Sequence, residues 1–595
     1  MKLPKLTETT DILLTLFGLT FIVFGWFALS LALGGLFLFP LLALGFTLSA
    51  TLALFILARL VKRSPLELKA VFLVAFLYAA IIGTIAEPTL FSGRDQGSIA
   101  EAAYRLAQNT ELAFSTPGSN AFYQIYGEGA ALNFPGFAYT KGGYLLTQFP
   151  LGYTAWLASF VSLFGLNGYA IANSVLLFLF LVFLYQLIRL FAAPAYASVG
   201  LLLALTSFLP GWFTKLTLTE NLAVFLFVFL TYNLILFFRE KKFIFYAGIL
   251  LSSGLFAFTR IEGFLFLLIT LSLIAFHQHT RSLIRTYPWK SIVLPALLFT
   301  FFFFRDFFIN LPYYKVIGKA LLKFFGRLSD GTLTAVPAQS GSLGSVLFLY
   351  GFLPLALLGF FGFLLFLKRK QYILLLPALI VFPTLLYFFM PNVTPDYPWM
   401  LRRYLFTLFP LFVFAATLCI ALLFSKKQPV YPLTMPRGRH LILPSLLFLG
   451  LIILQLPAWW SQLTYAENRG LREQIASFSQ FFSDRDLILV DQNATGNGFA
   501  MLTGPGQYLF GKNTVYFFNP YDLAALDTSP FDHVYLLTPE ESQGRYIAAF
   551  GNRLAFKKSV TFTLNQYENI SLSRSANRLP QQETLSTTNI LFQVY

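Results

Sequence analysis

The chain has 595 residues, of which 57% are hydrophobic, 18% aromatic and only 11% charged. Soluble domains carry about 25% charged residues, so this composition excludes a soluble enzyme, a disordered chain and a fibrous protein. The single cysteine, Cys419, excludes a disulfide framework and a cysteine-based zinc site. In a soluble protein, the net charge of +16 would suggest nucleic-acid binding. In a membrane protein, the distribution of basic residues between the loops on the two sides must be considered first.

Apolar runs of about 20 residues, the length that a helix needs to span a bilayer, recur along most of the chain. They predict a mainly α-helical polytopic membrane protein with about 13 spans. The runs begin near Asp11, Leu36, Ala70, Gly168, Ala195, Leu218, Phe243, Gly263, Ser291, Ser345, Ile373, Tyr404 and Leu441.

Basic residues in the loops indicate the expected orientation. They occur in five loops, as Lys62, Arg63 and Lys69; Arg239, Lys241 and Lys242; Arg281, Arg285 and Lys290; Lys368, Arg369 and Lys370; and Lys426, Lys427, Arg437 and Arg439. All five loops fall on one side if the amino terminus is cytoplasmic, as the positive-inside rule requires. With an odd number of spans, the carboxy terminus is then expected outside the cytoplasm.

One further apolar stretch, residues 144–166, does not fit this alternation. Counting it as a span would place Arg239 and Lys241 outside the cytoplasm, and the stretch contains Gln148 and Pro150. We therefore expect an interfacial or re-entrant helix facing the outer leaflet, with a fourteenth span as the alternative.

The predicted organisation has two parts. Residues 1–459 form the membrane domain, with outer loops at 87–143 and 310–344. Residues 460–595 form an extracytoplasmic α/β accessory domain, because strand-like runs at 487–490, 514–518, 533–538 and 590–595 alternate with helical patterns such as 467–482. The membrane domain has no internal repeat, which counts against inverted-repeat transporters.

The first candidate site follows the third span, at Gly93-Arg94-Asp95-Gln96-Gly97. The residues after it, including Glu101 and Tyr104, have helical spacing, so Asp95 is expected near a helix start at the bilayer surface. Its carboxylate is a candidate general base. The alternative is that Asp95 only caps the helix.

The second candidate site is the stretch from Asp396 to Tyr404, which contains the adjacent arginines Arg402 and Arg403. Two arginines before a span on the outer side are suited to binding a phosphate, although they also fit snorkelling to lipid headgroups. Because adjacent helical residues point about 100° apart, only one of the pair is expected to face a cavity.

Two further groups of charged residues are expected on the same outer face. Glu220 begins the sixth span, and Arg260 and Glu262 lie in the connection between the seventh and eighth spans. Charged groups near membrane depth tend to line cavities. The alternative is a local ion pair between Arg260 and Glu262. Basic residues also recur every four positions on an amphipathic stretch, as Lys315, Lys319, Lys323 and Arg327. They fit guidance of an anionic lipid or general headgroup anchoring.

Together these motifs resemble the GT-C superfamily of membrane glycosyltransferases, in particular the protein O-mannosyltransferases and the lipid A aminoarabinose transferases. The resemblance covers roughly residues 70–423. It rests on Arg94-Asp95-Gln96-Gly97, Phe149-Pro150-Leu-Gly-Tyr153, Thr219-Glu220, Thr259-Arg260-Ile-Glu262-Gly263 and Asp396-Tyr-Pro-Trp-Met-Leu-Arg402-Arg403-Tyr404. The chain departs from the simplest family pattern by placing three spans, rather than one, before the acidic loop.

The resemblance implies a polyprenyl-phosphate sugar as donor and transfer outside the cytoplasm, to a hydroxyl of a glycan, lipid or protein. Asp95 is then the base of an inverting displacement. The expected donor-phosphate ligands are Arg402, Arg403, Arg260, Lys315 and Lys319, and the other active-site candidates are Arg94, Gln96, Glu101, Tyr104, Glu220, Glu262, Asp396 and Tyr404. No cofactor, divalent metal or nucleic-acid partner is expected.

Two other functions fit part of this pattern. A transporter or flippase of lipid-linked saccharides would share the many spans and the basic outer patches, but a charged residue in the middle of a span would be expected to bind its coupling ion. An assembly protein would use the outer domain to recruit partners and would tolerate substitution of Asp95. The acidic residues lie mainly at span ends, which favours the transferase.

Overall fold

The structure is a computed structural model that describes residues 8–87, 94–286, 288–329, 340–389, 396–424, 433, 442–499, 501–571 and 577–595. Gly93, part of the loop expected at 310–344 and the basic residues Lys426, Lys427, Arg437 and Arg439 lie outside the described residues. The predicted fold class, mainly α and polytopic with a carboxy-terminal α/β domain, is confirmed.

Three apolar helices open the chain: α1 (Glu8–Gly34), α2 (Phe39–Arg63) and α3 (Leu66–Ile85). Helix α2 has Pro40 in its first turn, a position where the missing amide hydrogen costs nothing. It ends with Lys62 and Arg63 in its last turn, where positive charge complements the helix dipole. Pro65 then separates it from α3.

A folded loop follows α3. It comprises α4 (Asp95–Asn109), α5 (Pro117–Tyr126) and a small antiparallel sheet of β1 (Gly129–Ala130), β2 (Phe137–Tyr139) and β3 (Leu145–Thr147). Thr116 and Ser119 form a reciprocal capping box at the start of α5. The loop therefore has fixed structure where it approaches the membrane helices.

The stretch at 144–166 is not helical throughout. Its first residues belong to β3, and the helix α6 (Leu151–Phe164) is only 14 residues long, about 21 Å. A 3₁₀ turn then leads into α7 (Gly168–Arg189). The chain reverses at this turn, as shown by the Tyr153 hydroxyl near the start of α6, which donates to Asn173 Oδ1 of α7 at 2.7 Å. Helix α6 is thus one arm of a hairpin, and its own length is less than the thickness of a hydrocarbon core, about 30 Å.

The remaining helices of the membrane domain include several that are bent or broken. They are α8 (Pro194–Leu205), α9 (Phe208–Thr214), α10 (Glu220–Glu240), α11 (Phe243–Ala257), α12 (Gly263–Ala275), α13 (Gln278–Thr286), α14 (Leu294–Ile309), α15 (Leu311–Ser329), α16 (Ser340–Leu349), α17 (Phe352–Lys368), α18 (Leu376–Leu385), the two-residue strand β4 (Asp396–Tyr397), α19 (Trp399–Leu405), α20 (Leu408–Leu423) and α21 (Ile442–Leu463).

All thirteen predicted runs coincide with helices, but fewer are long enough to span a membrane unaided. Within the described residues seven qualify by length and composition, or up to eleven if each of four bent pairs counts as one span. The bends range from 58° between α8 and α9 to 101° between α16 and α17, where Gly351 adopts a left-handed conformation. Two other apolar helical stretches, Phe243–Ala257 and Tyr372–Phe388, are shorter.

The carboxy-terminal domain is a mixed five-stranded sheet with helices. Its elements are α22 (Leu471–Ser479), β5 (Leu487–Asp491), α23 (Thr503–Tyr508), β6 (Asn513–Phe517), α24 (Asp522–Ala525), β7 (Val534–Pro539), α25 (Gln543–Phe550), β8 (Leu554–Tyr567), β9 (Ile570–Ser571) and β10 (Gln582–Val594). The strand order is β6-β5-β7-β10-β8, with β5, β6 and β7 parallel and β10 antiparallel to β7 and β8. Sequence analysis missed β8.

The loop after α3 and the carboxy-terminal domain share a hydrophobic core. Alternate residues of β5 face opposite sides of the sheet. Ile488 packs beside Phe478 of α22, whereas Leu489 belongs to the cluster that contains Phe122 and Phe137 of the loop. The loop is therefore packed against one face of the sheet rather than standing free above the membrane.

Candidate active site

Asp95 and two arginines, distant in sequence, meet through ion pairs. Asp95 is the first residue of α4, and Arg402 and Arg403 belong to α19. Oδ2 of Asp95 accepts hydrogen bonds from Nη2 of Arg402 and, at 3.3 Å, from Nη2 of Arg403. The Asp95 side chain is 34% exposed. A single carboxylate oxygen is thus held by two guanidinium groups.

Only one of the two adjacent arginines was expected to face a cavity, but both guanidinium groups contact Asp95. Their side chains are long enough for both guanidinium groups to converge on Asp95, although their Cβ atoms point in different directions. Arg402 lies deeper, with Nη1 3.9 Å from Oε1 of Glu220. Arg403 is more exposed. Both contacts are with a carboxylate of the protein.

A buried network continues from Arg402 through Glu220 to Arg260. Nη1 of Arg260 lies 2.8 Å from Oε1 of Glu220, and its Nε donates to Oε1 of Glu262 at 2.5 Å. Tyr387 donates from its hydroxyl to Oε2 of Glu262 at 2.7 Å. We call Asp95, Glu220, Arg260, Glu262, Arg402 and Arg403 the arginine–carboxylate cluster. Its three carboxylates balance its three guanidinium groups, which is what burial of so many charges requires.

Local structure places Asp95 where its charge is favourable. Arg94 is the N-cap residue of α4 and has an extended backbone, so Asp95 lies in the first turn, at the positive end of the helix dipole. Asp95 is therefore not the N-cap residue, and its side chain is directed to Arg402 and Arg403. The helix start helps to hold the carboxylate in its ionised form.

The pKa of Asp95 is determined by two opposing effects. Burial raises the pKa of this carboxyl group, but the positive charges of Arg402, Arg403 and Arg260 and the hydrogen bond from Arg402 lower it further, to about 2. With both arginine contacts in place, Asp95 is therefore an ionised carboxylate with a low affinity for protons. Asp95 accepts a proton readily only if the arginine contacts weaken.

The carboxy-terminal domain contacts Arg94, the residue before Asp95, through Phe499. The Arg94 guanidinium lies between two aromatic rings, 4.4 Å from the ring centre of Trp399 and 4.6 Å from that of Phe499. Arg94 also pairs with Asp396 at 3.4 Å. Phe499 belongs to the loop that follows β5, so this stack joins the start of α4, the start of α19 and the carboxy-terminal domain.

A second contact with the domain lies just before α19. Asp396 and Tyr397 form β4, which pairs antiparallel with β9 of the domain, so that Asp396 lies opposite Ser571. The domain thus fixes the segment that leads directly into the two arginines.

The side chain of Asn221 holds the irregular segment between α9 and α10. Asn221 Nδ2 donates to the backbone oxygens of Phe213, Leu216 and Leu218, the closest at 2.8 Å. The same segment holds α4, because Thr217 Oγ1 donates to the backbone oxygen of Gln96 at 2.7 Å. These bonds fix the distance between Asp95 and Glu220. The backbone at Gly152 also lies close to the segment before Arg260, because the Gly152 amide donates to the backbone oxygen of Phe258.

Several predicted site residues lie outside the cluster. Glu101 pairs with Arg105 at 2.9 Å, and Arg105 in turn contacts Gln507 of the carboxy-terminal domain. Tyr104 packs against Tyr508, and Tyr404 packs against Phe388.

The lysines of α15 that were expected to bind the donor phosphate also lie outside the arginine–carboxylate cluster. Lys315 pairs with Glu128 of the loop after α3 at 2.8 Å, and the Lys319 side chain is exposed. Gln96 lies next to Asp95 in sequence, but its side chain is buried and its amide atoms have no hydrogen-bond partner in the described part of the chain.

Sequence analysis missed Tyr387, Trp399 and Phe499 as neighbours of the charged residues. Tyr387 lies in an apolar run, where nothing in the sequence separates it from the surrounding core aromatics. Phe499 is recognisable only once the loop after β5 is placed against α4. Trp399 was inside a predicted motif, but its contact with Arg94 depends on tertiary packing.

A metal site was not expected, and the described ranges contain no group of three or more histidine, cysteine, aspartate or glutamate side chains arranged to hold an ion. The expectation that catalysis needs no divalent metal stays a prediction.

Comparison with known proteins gives similarity only to solved structures. No family model matches the sequence, and no curated protein matches it. ArnT from Cupriavidus metallidurans bound to undecaprenyl phosphate and the same protein in the apo state are similar to the chain, each with 10% sequence identity and a TM-score of 0.46. Each match covers 88% of this chain and 97% of the other.

Proposed function

We propose that this protein is a membrane glycosyltransferase that moves a sugar from a polyprenyl-phosphate donor to an acceptor hydroxyl. The observation that carries the proposal is the contact of one carboxylate, Asp95, with two guanidinium groups, Arg402 and Arg403, at one end of the helix bundle. This arrangement brings a carboxylate, which is a potential proton acceptor, together with two potential anion ligands. The acceptor is a glycan, lipid or protein.

The anion site suits the leaving group of this reaction. A polyprenyl-phosphate sugar carries one negative charge on its phosphodiester, whereas the released polyprenyl phosphate carries about two at neutral pH. Guanidinium groups that meet this developing charge lower the barrier more than they stabilise the bound donor. Arg402 and Arg403 are the proposed ligands. Lys315 is not among them, because it lies outside the arginine–carboxylate cluster and pairs with Glu128 of the loop after α3.

The transfer is a single displacement with balanced bonds and charges. The acceptor oxygen forms a bond to the anomeric carbon while the bond from that carbon to the phosphate oxygen breaks, and its electron pair stays on the phosphate. The acceptor hydroxyl proton passes to Asp95. Because one displacement occurs and no covalent enzyme intermediate forms, the anomeric configuration inverts. No cofactor takes part in this proposal.

The proposed side of the membrane follows from the helix directions. Helices α10 and α12 begin next to Glu220 and Glu262, and α10 ends at Arg239 and Glu240. At 1.5 Å per residue, Arg239 lies roughly 28 Å along the helix from Glu220. Arg239 thus lies at the end of α10 opposite the cluster, which under the positive-inside rule supports a position of the cluster and the carboxy-terminal domain outside the cytoplasm.

The direct test uses the full chain in proteoliposomes with synthetic polyprenyl-phosphate sugars and a membrane extract that supplies acceptors. Mass spectrometry should detect polyprenyl phosphate and a glycosylated product only when chain, donor and extract are all present. Movement of intact donor across the bilayer without release of polyprenyl phosphate would instead identify a flippase and overturn the proposal.

A further inference from the structure

The arrangement around Asp95 raises a chemical difficulty for the proposed reaction. The guanidinium groups of Arg402 and Arg403 must bind the donor phosphate, yet both are occupied by Oδ2 of Asp95. Asp95 must accept a proton, yet the same two contacts hold it ionised. A structure in which the base and the anion ligands neutralise each other is suited to neither task until a ligand separates them.

We infer that the Asp95 carboxylate is a resident anion of the donor-phosphate site, which the phosphate group displaces from Arg402 and Arg403 when the donor binds. This inference rests on the proposed function. Displacement changes both partners at once: the phosphate gains the two guanidinium groups, and the carboxylate loses the contacts that keep protons away. Binding of the donor thereby creates the general base.

At Arg402, the geometry favours exchange of the bound anion over movement of the arginine itself. Arg402 keeps a second carboxylate within reach, since its Nη1 is 3.9 Å from Glu220, and Trp399 lies beside its guanidinium at 6.0 Å. Glu220 is in turn fixed by Arg260. Asp95, in contrast, is partly exposed, and Arg402 and Arg403 are the two partners of its side chain among the described contacts. Of Asp95 and Arg402, the carboxylate is therefore the group that is freer to move away.

The same competition explains how the product leaves. After transfer, Asp95 carries the proton and is neutral, so it no longer competes with the doubly charged phosphate of the product for the arginines. Loss of that proton to water restores the carboxylate charge, and Asp95 then displaces the polyprenyl phosphate from Arg402 and Arg403. Asp95 thus serves once as base and once as the competing anion that resets the site.

Competition makes a prediction opposite to that for an ordinary binding residue. Replacing Asp95 with Asn removes the competing charge, so a phosphate should bind more tightly to the variant than to the parent. The probe is farnesyl phosphate, a soluble isoprenyl monophosphate, with farnesol as the control that lacks the phosphate. Its affinity for the detergent-solubilised full chain is measured by calorimetry. We expect the affinity to rise about fivefold, which is at the low end of typical coupling between two ligands.

A double-mutant cycle separates direct competition from a general effect of charge. If Asp95 competes for the arginines, the gain in affinity from Asp95→Asn should disappear when Arg402→Gln and Arg403→Gln are also present. A gain that persists without the arginines would reflect long-range repulsion alone and would overturn the inference. Asp95→Ala serves as a second variant if the Asn variant does not fold, as judged by its melting temperature and size-exclusion profile.

The remaining outcomes are also decisive. Binding of farnesyl phosphate to the parent, with equal or weaker binding to Asp95→Asn, would overturn the inference while leaving the proposed phosphate site intact. If neither the parent nor the variant binds farnesyl phosphate more tightly than farnesol, the phosphate site itself is absent, and both proposals fail.

Discussion

Asp95 and Arg402 are separated by 307 positions in the sequence and are joined by a direct hydrogen bond between Oδ2 and Nη2. The bond links the first turn of α4 to α19, and it places a carboxylate and a guanidinium group at the same end of the helix bundle. This relationship leads from the fold to the chemistry, because neither residue alone provides both a proton acceptor and an anion site.

The two arginines should both matter, and to different extents. Arg402→Gln should lower transfer about 10²- to 10³-fold, the usual loss when one preorganised charge-stabilising donor is removed. Arg403→Gln should cost less, since Arg403 is more exposed and lacks the second carboxylate that Arg402 approaches. The measurement is the rate of polyprenyl phosphate release in proteoliposomes. Arg485→Gln is the matched control, because the Arg485 side chain is 70% exposed on the carboxy-terminal domain. Losses below threefold for both arginines would exclude the phosphate role.

The pH dependence should differ between the free and the donor-bound enzyme. While Asp95 is paired with Arg402 and Arg403, their positive charges hold its pKa at about 2, below the ordinary value of ~3.9. The carboxylate thus stays ionised in the free enzyme down to low pH. Protonation of Asp95 should therefore not lower kcat/KM for the donor above about pH 4. Displacement of Arg402 and Arg403 by the phosphate raises the pKa of Asp95 in the complex, so kcat should begin to fall at higher pH than kcat/KM.

This comparison uses initial rates measured between about pH 4 and pH 8, the range that covers the ordinary pKa of Asp. The phosphodiester of the donor does not change its charge in this range, so it adds no limb of its own. An acid limb in kcat/KM that lies above the limb in kcat would contradict the account.

Phe499 should position the catalytic loop from the carboxy-terminal domain. Its ring packs on the Arg94 guanidinium opposite Trp399, and a contact of this kind is worth about 0.5 to 2 kcal/mol. We expect Phe499→Ala to lower kcat about tenfold because Asp95, next to Arg94, loses its fixed position. Phe499→Trp should restore most of the rate. A control is Phe556→Ala, since that ring is exposed. Equal rates for the parent and Phe499→Ala would show that the domain does not position the loop.

Lys215 should secure the connection between the membrane helices and the carboxy-terminal domain. Its ammonium group donates to the backbone oxygens of Gln462, Leu463 and Tyr465, where α21 ends. Lys215→Met should destabilise the protein by about 1.5 to 3 kcal/mol, the range for hydrogen bonds to charged groups. Thermal unfolding in detergent is the measurement, with Lys557→Met, at an exposed position, as the control. An unchanged melting temperature would contradict this role.

Sequence analysis predicted the parts of the site whose signal is local. Charged residues are rare in this chain, so Asp95, Glu220, Arg260, Glu262 and the pair Arg402–Arg403 were recognisable at the ends of apolar runs. The structure brings these six residues into one cluster. Lys315 carries a similar local signal but pairs with Glu128, because the direction of a lysine on an amphipathic helix depends on what packs beside it.

Other features depend on long-range packing and were not predictable from one sequence. Tyr387 and Phe499 resemble many other aromatic residues of the chain until the helices and the domain are placed. The convergence of Arg402 and Arg403 contradicts a simple helical-wheel argument, because side-chain length outweighs the angle between adjacent Cβ atoms. Strand β8, in contrast, did leave a signal, because polar and apolar residues alternate from Ser559 to Leu564.

The most direct test of the account is transfer by Asp95→Asn. The variant is compared with the parent and with Asp484→Asn, a matched substitution at a side chain that is 82% exposed on the carboxy-terminal domain. In proteoliposomes with a polyprenyl-phosphate sugar and membrane acceptors, Asp95→Asn should release polyprenyl phosphate about 10²- to 10⁴-fold more slowly, the usual range for loss of a general base, whereas Asp484→Asn should match the parent. Release by Asp95→Asn within threefold of the parent rate would contradict the central claim that Asp95 accepts the proton.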